Sequence, residues 1–462
     1  MSFPRTSSSR GPLSRSFSVL LALGAVLLLA PGCDKEDPSD YGTPPGKPPP
    51  IGGGDGGNTN PAGDLGDGGT FIPSDGGTFA AKPSCASGST SCAGACPDGG
   101  VVCLGNCGYL RPVTYAFSGA SGPKDLALGD INGDGYDDLV TANASANAVA
   151  VLLNHKDGTF YTPSLLVRPG SEPSSVFLRD FNNDQKLDVF VGNAGTQSLA
   201  VYQGQGNSTP LRLVSSLSLG MDINGLAHGQ FNGLTRSIAV LHTVLGRVSL
   251  FTLSTDGRLT EAGSFHVPAS PDSLVVGDFN RDAREDLAVT HPSSCGTTSE
   301  TTCQSVGVLL GKTDGTLQAQ LLTSLGGTPR GVVTTDLDRD GRPELIIADS
   351  SRDQVILLRG QGDGTFQVPL TYPSVDAPER LALEDINGDT VMDVVAASST
   401  DGRVSVYLGQ FNATLAPQVV LTASSTAQRF RGLVAADLNG DKSQDLALLT
   451  SDGLQLLWGH CR

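Results

Sequence analysis

Gly129-Asp130-Ile131-Asn132-Gly133-Asp134-Gly135-Tyr136-Asp137-Asp138 carries oxygen-bearing side chains at the first, third, fifth and ninth places after its leading glycine. Just upstream, Leu126 and Leu128 alternate with other residues, the period of a half-buried strand. The same arrangement returns as Asp180-Phe181-Asn182-Asn183-Asp184-Gln185-Lys186-Leu187-Asp188, and again from Asp278, Asp336, Asp385 and Asp437. A shortened form begins at Gln230, as Gln230-Phe231-Asn232-Gly233-Leu234. The starts at 130, 180, 230, 278, 336, 385 and 437 lie 50, 50, 48, 58, 49 and 52 residues apart, so the chain contains seven copies of one unit.

Each unit reads as four strands. Val176 and Leu178, Leu274 and Val276, and Leu381 and Leu383 alternate before their loops. After the loops come Val189-Phe190-Val191, Leu287-Ala288-Val289 and Leu345-Ile346-Ile347, continuous apolar runs that suit strands buried on both faces. A third strand follows, as at Val149 to Leu153 and Val355 to Leu358. Then comes a turn, Asp157-Gly158-Thr159-Phe160 or Asp363-Gly364-Thr365-Phe366, and a fourth strand. Four strands per unit, repeated seven times, predict an all-β fold: a seven-bladed β-propeller of four-stranded blades. Composition agrees. With 59 Gly and 28 Pro in 462 residues, a mainly helical chain is excluded, and only 5% aromatic residues fit many short strands.

The seventh unit stops after its third strand, at Leu457-Trp458-Gly459-His460-Cys461-Arg462, while an unpaired strand, Val113 to Phe117, precedes the first loop. The ring is therefore expected to close by this N-terminal strand pairing with the last blade. Alignment on the acidic loops puts Cys107 near the place of Asp157 and Cys461 near that of Lys156, neighbours in the interrupted turn. A Cys107–Cys461 disulfide follows as an expectation, with Cys103 close enough to compete. Cys295 and Cys303, in the long 58-residue interval, are expected to pinch a loop. Cys85, Cys92, Cys96 and Cys103 leave three connectivities. Zinc is disfavoured because no paired C-x-x-C spacing occurs.

The loops have the chemistry of cation sites. Calcium takes about six to eight oxygens. The candidate ligands are Asp130, Asn132, Asp134 and Asp138; Asp180, Asn182, Asp184 and Asp188; Asp278, Asn280, Asp282 and Asp286; Asp336, Asp338, Asp340 and Glu344; Asp385, Asn387, Asp389 and Asp393; and Asp437, Asn439, Asp441 and Asp445. The residue at position 7 can add its carbonyl, and the acid at position 9 is expected to clamp with two oxygens. An EF-hand would need Glu at position 12, where Thr141 stands, and helices on both sides. Three ligand-position carboxylates in each of five loops and four in the Asp336 loop would repel one another without a cation. The Gln230 loop lacks acids at positions 1 and 5 and is expected to hold no ion. About six structural Ca2+ ions per chain are expected.

Gly129-Asp130-Ile131-Asn132-Gly133-Asp134-Gly135, Gly277-Asp278-Phe279-Asn280 and Asp385-Ile386-Asn387-Gly388-Asp389, with their closing acids, resemble the FG-GAP/VCBS repeat family known from integrin α-subunit propellers. The resemblance spans about residues 109 to 462. It implies a propeller in which calcium holds the loops between first and second strands while ligands bind elsewhere on the ring. It does not extend to integrin-like ligand recognition.

The N-terminus reads as an address. Arg5, Arg10 and Arg15 precede an apolar run from Phe17 to Ala30, too short to span a membrane comfortably and flanked as a secretory signal is. Ala30-Pro31-Gly32-Cys33 resembles a bacterial lipobox, which makes Cys33 the expected lipidation site. Residues 1–32 are then a lipoprotein signal peptide and 33–84 a Pro/Gly-rich tether, with nine Pro and 13 Gly between 34 and 84. Residues 85–108 form a Cys-rich disulfide segment and 109–462 the propeller. The expected location is the bacterial cell envelope, at the outer membrane or cell surface.

The full chain carries a net charge of -17. Residues 1–32 hold three Arg and no acid, so the mature chain has 27 basic and 47 acidic residues, net −20. The charge would repel a phosphate backbone, so generic nucleic-acid binding is disfavoured and no nucleic-acid partner is expected. The six histidines are scattered, and no Gly-x-Ser-x-Gly elbow, Walker loop or His-Glu-x-x-His occurs. One Trp and eight Tyr argue against a lectin built on aromatic platforms. The expected function is a surface-tethered binding module, a monomer used in adhesion or envelope assembly, whose partner is a protein or a polysaccharide. The alternative is an extracellular propeller enzyme, a polysaccharide lyase or phosphoesterase.

Overall fold

The computed structural model describes residues 102–104, 107–109, 112–116, 122–161, 164–167, 170–206, 211–268, 270–293, 304–423 and 428–461. Cys33, Cys85, Cys92, Cys96, Cys295 and Cys303, with the signal and tether segments, lie outside them.

Seven four-stranded antiparallel sheets follow one another along the chain. Blade 1 runs Pro123–Gly129, Asp138–Asn143, Ala148–Leu152 and Ser164–Val167. Blade 2 runs Pro173–Arg179, Asp188–Asn193, Ser198–Gln203 and Arg212–Ser218. Blade 3 contains Gly225–Gly229, Ser237–His242, Arg247–Leu253 and Leu259–His266. Blades 4, 5 and 6 begin with Leu274–Gly277, Pro329–Thr335 and Pro378–Glu384. Blade 7 is built from Gly432–Ala436, Asp445–Leu449 and Gly453–Leu457, and its fourth strand is Val113–Ala116 from the other end of the chain. Val113 lies opposite Leu456 and Ala116 opposite Gly453. The expected closure is thus what the chain does.

Burial follows the period of each strand. The second strands, read from sequence as buried on both faces, are buried at every position in all seven blades. Fourth strands alternate or lie largely exposed, as in Arg212–Ser218. Seven apolar clusters fill seven gaps between neighbouring blades. One joins Val395, Val404 and Val406 of blade 6 to Leu446 and Leu448 of blade 7. Another joins Leu139, Leu152 and Phe160 of blade 1 to Leu449, Leu454 and Leu456 of blade 7. That last cluster closes the circle. It buries side chains at up to about 3 kcal/mol each, which a lone blade cannot do.

Trp458 follows the third strand of blade 7 directly and packs into this closing gap. Its ring covers Gly158, whose φ is +80° and where a Cβ would stand 2.3 Å from the indole. Only glycine fits there, on both backbone and steric grounds. At the chain ends, Val102–Leu104, Cys107–Tyr109 and Gly459–Cys461 form a small three-stranded sheet. Its register sets Cys107 directly opposite Cys461. Tyr109 is buried against the cluster between blades 6 and 7.

Candidate metal centres

Six loops join first to second strands by one repeated hydrogen-bond scheme. The acid at position 1 accepts the backbone N–H of position 5 on one oxygen and that of position 6 on the other. For Asp385 these donors are Asp389 at 3.0 Å and Thr390 at 2.7 Å. For Asp437 they are Asp441 at 3.0 Å and Lys442 at 2.8 Å. Asp130, Asp180, Asp278 and Asp336 do the same. The position 5 acid then accepts the N–H of position 7, as Asp134 does from Tyr136 at 3.0 Å. This winding needs positive φ at positions 4 and 6. Gly133 and Gly135 supply it in the first loop, while Asn183 and Gln185, Arg281 and Ala283, and Arg339 and Gly341 do so in others. Thr390 at φ 72° is the most costly of these, a β-branched residue held left-handed at about 1–2 kcal/mol.

The closing acids do something that spacing alone conceals. Each is buried, and each divides its two oxygens between two backbone N–H groups. Asp188 accepts from Phe181 at 2.9 Å and Gly204 at 2.8 Å. Asp286 accepts from Phe279 and Gly311, Asp393 from Ile386 and Gly409, Asp445 from Leu438 and Gly459, and Asp138 from Ile131 and Asn154. Glu344 binds the N–H groups of Leu337 and Gly360 in the same way. The acid therefore clips the loop to the end of the third strand. A carboxylate with two bonds accepted keeps lone pairs to share with an ion. Burial pushes Asp286, Glu344, Asp393 and Asp445 up to about 7 and Asp138 and Asp188 up to about 6, against the lowering effect of the N–H groups and with neighbouring loop acids adding to the rise.

The loop at Asp336 differs from the rest at position 3. Where Asn stands there, its amide has two tasks: in the Asp385 loop, Asn387 Oδ1 accepts the Asp389 N–H at 2.9 Å while Nδ2 donates to Asp389 Oδ2 at 3.0 Å. The side chain of Asp338 has no N–H to donate. Asp336, Asp338 and Asp340 bring one oxygen each within 4.8 Å of one another, and Asp338 Oδ1 is buried with no hydrogen-bond partner. An orphaned anionic oxygen among carboxylates fits a hard cation with oxygen ligands. Arg342 pairs with Asp340 Oδ2 and holds that carboxyl below its usual range, so one oxygen of the group is already answered from the protein. Arg284 meets Asp282 likewise in the Asp278 loop.

The third loop lacks this chemistry. Asn232 Oδ1 accepts the N–H groups of Leu234 and Thr235, Leu234 is exposed, and Ser237 occupies the register place of the closing acid, opposite Gly229. Among the described residues the histidines do not converge on a reaction centre. His242 is buried between the Asp222 carbonyl and Ser249 Oγ. His291 faces Gln320 and is lowered by burial to about 4. His155 stacks on Tyr161.

Residues 130–191, 336–396 and 385–448 match the FG-GAP-like repeat family. The chain carries FG-GAP-like repeats. These matches fall on five of the six acidic loops, counting the closing acids within them. No curated protein matches the chain. Among solved structures, BBS1N in complex with ARL6DN is similar at 15% identity and TM-score 0.53, over 76% of this chain and 96% of that one. A protein from Lactobacillus plantarum is similar at 14% identity and TM-score 0.51, over 66% and 86%. Sqt1 of Saccharomyces cerevisiae is similar at 10% identity and TM-score 0.50, over 76% and 98%. At such identities the likeness is one of fold.

Proposed function

We propose that this FG-GAP-like propeller is a calcium-stabilised binding module tethered to the bacterial envelope, with a protein or polysaccharide as its partner. The observation that carries the cation half is the Asp338 oxygen, buried without a partner beside Asp336 and Asp340. When bound, calcium supplies positive charge and oxygen coordination, and no chemical step. The chain's own loops do the rest. Position 1 and 5 acids organise the turn, and the closing acids tie it to the third strand. Binding, as opposed to catalysis, is supported by the scatter of the histidines among the described residues. A ring of this fold in complex with another protein, BBS1N with ARL6DN, supports the same use of the surface.

Lipidation at Cys33 would anchor the module, and a Cys107–Cys461 disulfide would staple its closure at the place where the two strands already pair. Digestion without reductant is expected to yield a linked peptide containing both residues, and a Cys103–Cys107 or Cys103–Cys461 link would overturn that pairing. For function, the immobilised chain is exposed to envelope and matrix extract in calcium. The expected result is a partner retained in calcium, released by chelator and competed off by free chain. Turnover of a polysaccharide or phosphoester with no retained partner would replace the reading with the enzymatic one.

A further inference from the structure

Blade 3 lacks the closing acid, and a cavity opens where it would stand. In the other blades a buried carboxylate fills the corner between the loop and the end of the third strand. In blade 3 that corner holds Ser237, and Gln230 N–H donates to Glu285 of the next blade's loop. A space of about 180 Å³ remains between blades 2 and 3. Its wall is aromatic on the blade 2 side. Phe177 stacks on Phe190 with ring centroids 4.4 Å apart, and Phe181 meets Phe190 edge-on at 6.2 Å.

Its charge is opposite to that of the molecule. Two guanidinium groups, Arg179 and Arg236, line it with a single acid, Glu285, and burial beside the two arginines holds His228 below its usual range. The surrounding chain is strongly acidic. Arg236 is fixed in place: it donates to the carbonyls of Asp180 at 2.8 Å and Phe181 at 3.1 Å and to Asn183 Oδ1 at 2.7 Å. The side chain of Arg179, at the end of its strand opposite Asp188, is exposed and makes no hydrogen bond or ion pair among the described residues. The corner therefore offers an unclaimed cation above an apolar floor. A dry cavity of about 150 Å³ accommodates a benzene ring, so the space here suits one ring-sized group.

The geometry points to a small-molecule site at the junction of blades 2 and 3 for an organic monoanion bearing one ring-sized apolar group. The anion pairs with Arg179, and the apolar group lies against Phe177 and Phe181. The blade 3 loop above it lacks the acids of the cation sites, while Phe181 and Glu285 reach it from the neighbouring Asp180 and Asp278 loops.

Phenylacetate, benzyl alcohol and acetate, titrated calorimetrically into the full chain with calcium, separate the two requirements. Phenylacetate is expected to bind saturably at least ten-fold more tightly than either of the others. Arg179→Gln, which removes an exposed group with no partner, is expected to weaken phenylacetate at least ten-fold and leave the thermal midpoint unchanged. Equal binding of benzyl alcohol, equal binding of acetate, undiminished binding by Arg179→Gln, or no phenylacetate binding at millimolar concentration would each overturn the proposal.

Discussion

Asp393→Ala is expected to destabilise the ring by about 3–5 kcal/mol, the cost of leaving two buried N–H groups without an acceptor. The carboxylate bonds Ile386 N–H at 2.9 Å and Gly409 N–H at 2.8 Å, and it is fully buried. Around it, Ile386 and Val391 pack the two adjoining blade gaps with apolar surface. Asp393→Asn retains one acceptor oxygen but sets an NH2 group against the second N–H, so it should cost less than Ala and more than nothing. Asn387→Ala, on the same loop, removes an acceptor for Asp389 N–H that Asp385 also serves, and its cost without calcium should stay below about 1 kcal/mol. Urea denaturation of the four proteins in chelator measures the order. A cost under about 1 kcal/mol for Asp393→Ala would show that the clip is dispensable.

The second large effect is on pH. In chelator the ring should be more stable at pH 5 than at pH 7.5, by roughly 5–10 °C in thermal midpoint. The sign follows from the closing acids. Asp286, Glu344, Asp393 and Asp445 sit near 7 in the folded chain, and Asp138 and Asp188 near 6, whereas an unfolded carboxyl titrates near 4. Between about pH 4 and 7 the folded chain then binds more protons than the unfolded one, so stability falls as pH rises through that window. General repulsion in an acidic protein acts in the same direction. Calcium should reverse the trend, since a cation favours the ionised loops and protonation competes with it. Thermal melts at both pH values, with chelator and with calcium, test this. A chelated protein most stable at pH 7.5 would contradict it.

The ring was readable in the sequence because its signals are local and repeated. Leu345-Ile346-Ile347 marks a doubly buried strand wherever it occurs, and seven loop starts near 50 residues apart count the blades. Even the long-range pairing of Val113–Ala116 with Gly453–Leu457 followed from a missing strand at one end and a spare one at the other. The closing acids were less legible. Spacing identifies Asp393 as an oxygen donor facing the loop, but only the three-dimensional return of the third strand reveals that Gly409 N–H is waiting for it. The cavity at blade 3 was not legible at all as a site. Arg179, Arg236 and Glu285 belong to three different blades. The available signals were the residue missing between Gly229 and Ser237 and the basic Arg236 directly before the place of the closing acid.

The number of ions the chain holds decides most directly between cation sites and plain acidic turns. Equilibrium dialysis of the full chain against labelled calcium at pH 7.5 should saturate near six ions per molecule. Replacing Asp336, Asp338 and Asp340 together with Asn should remove one of them and leave the others. Saturation at a single ion, or no saturable binding, would mean that the repeated acids are solvated turns held by their own N–H groups.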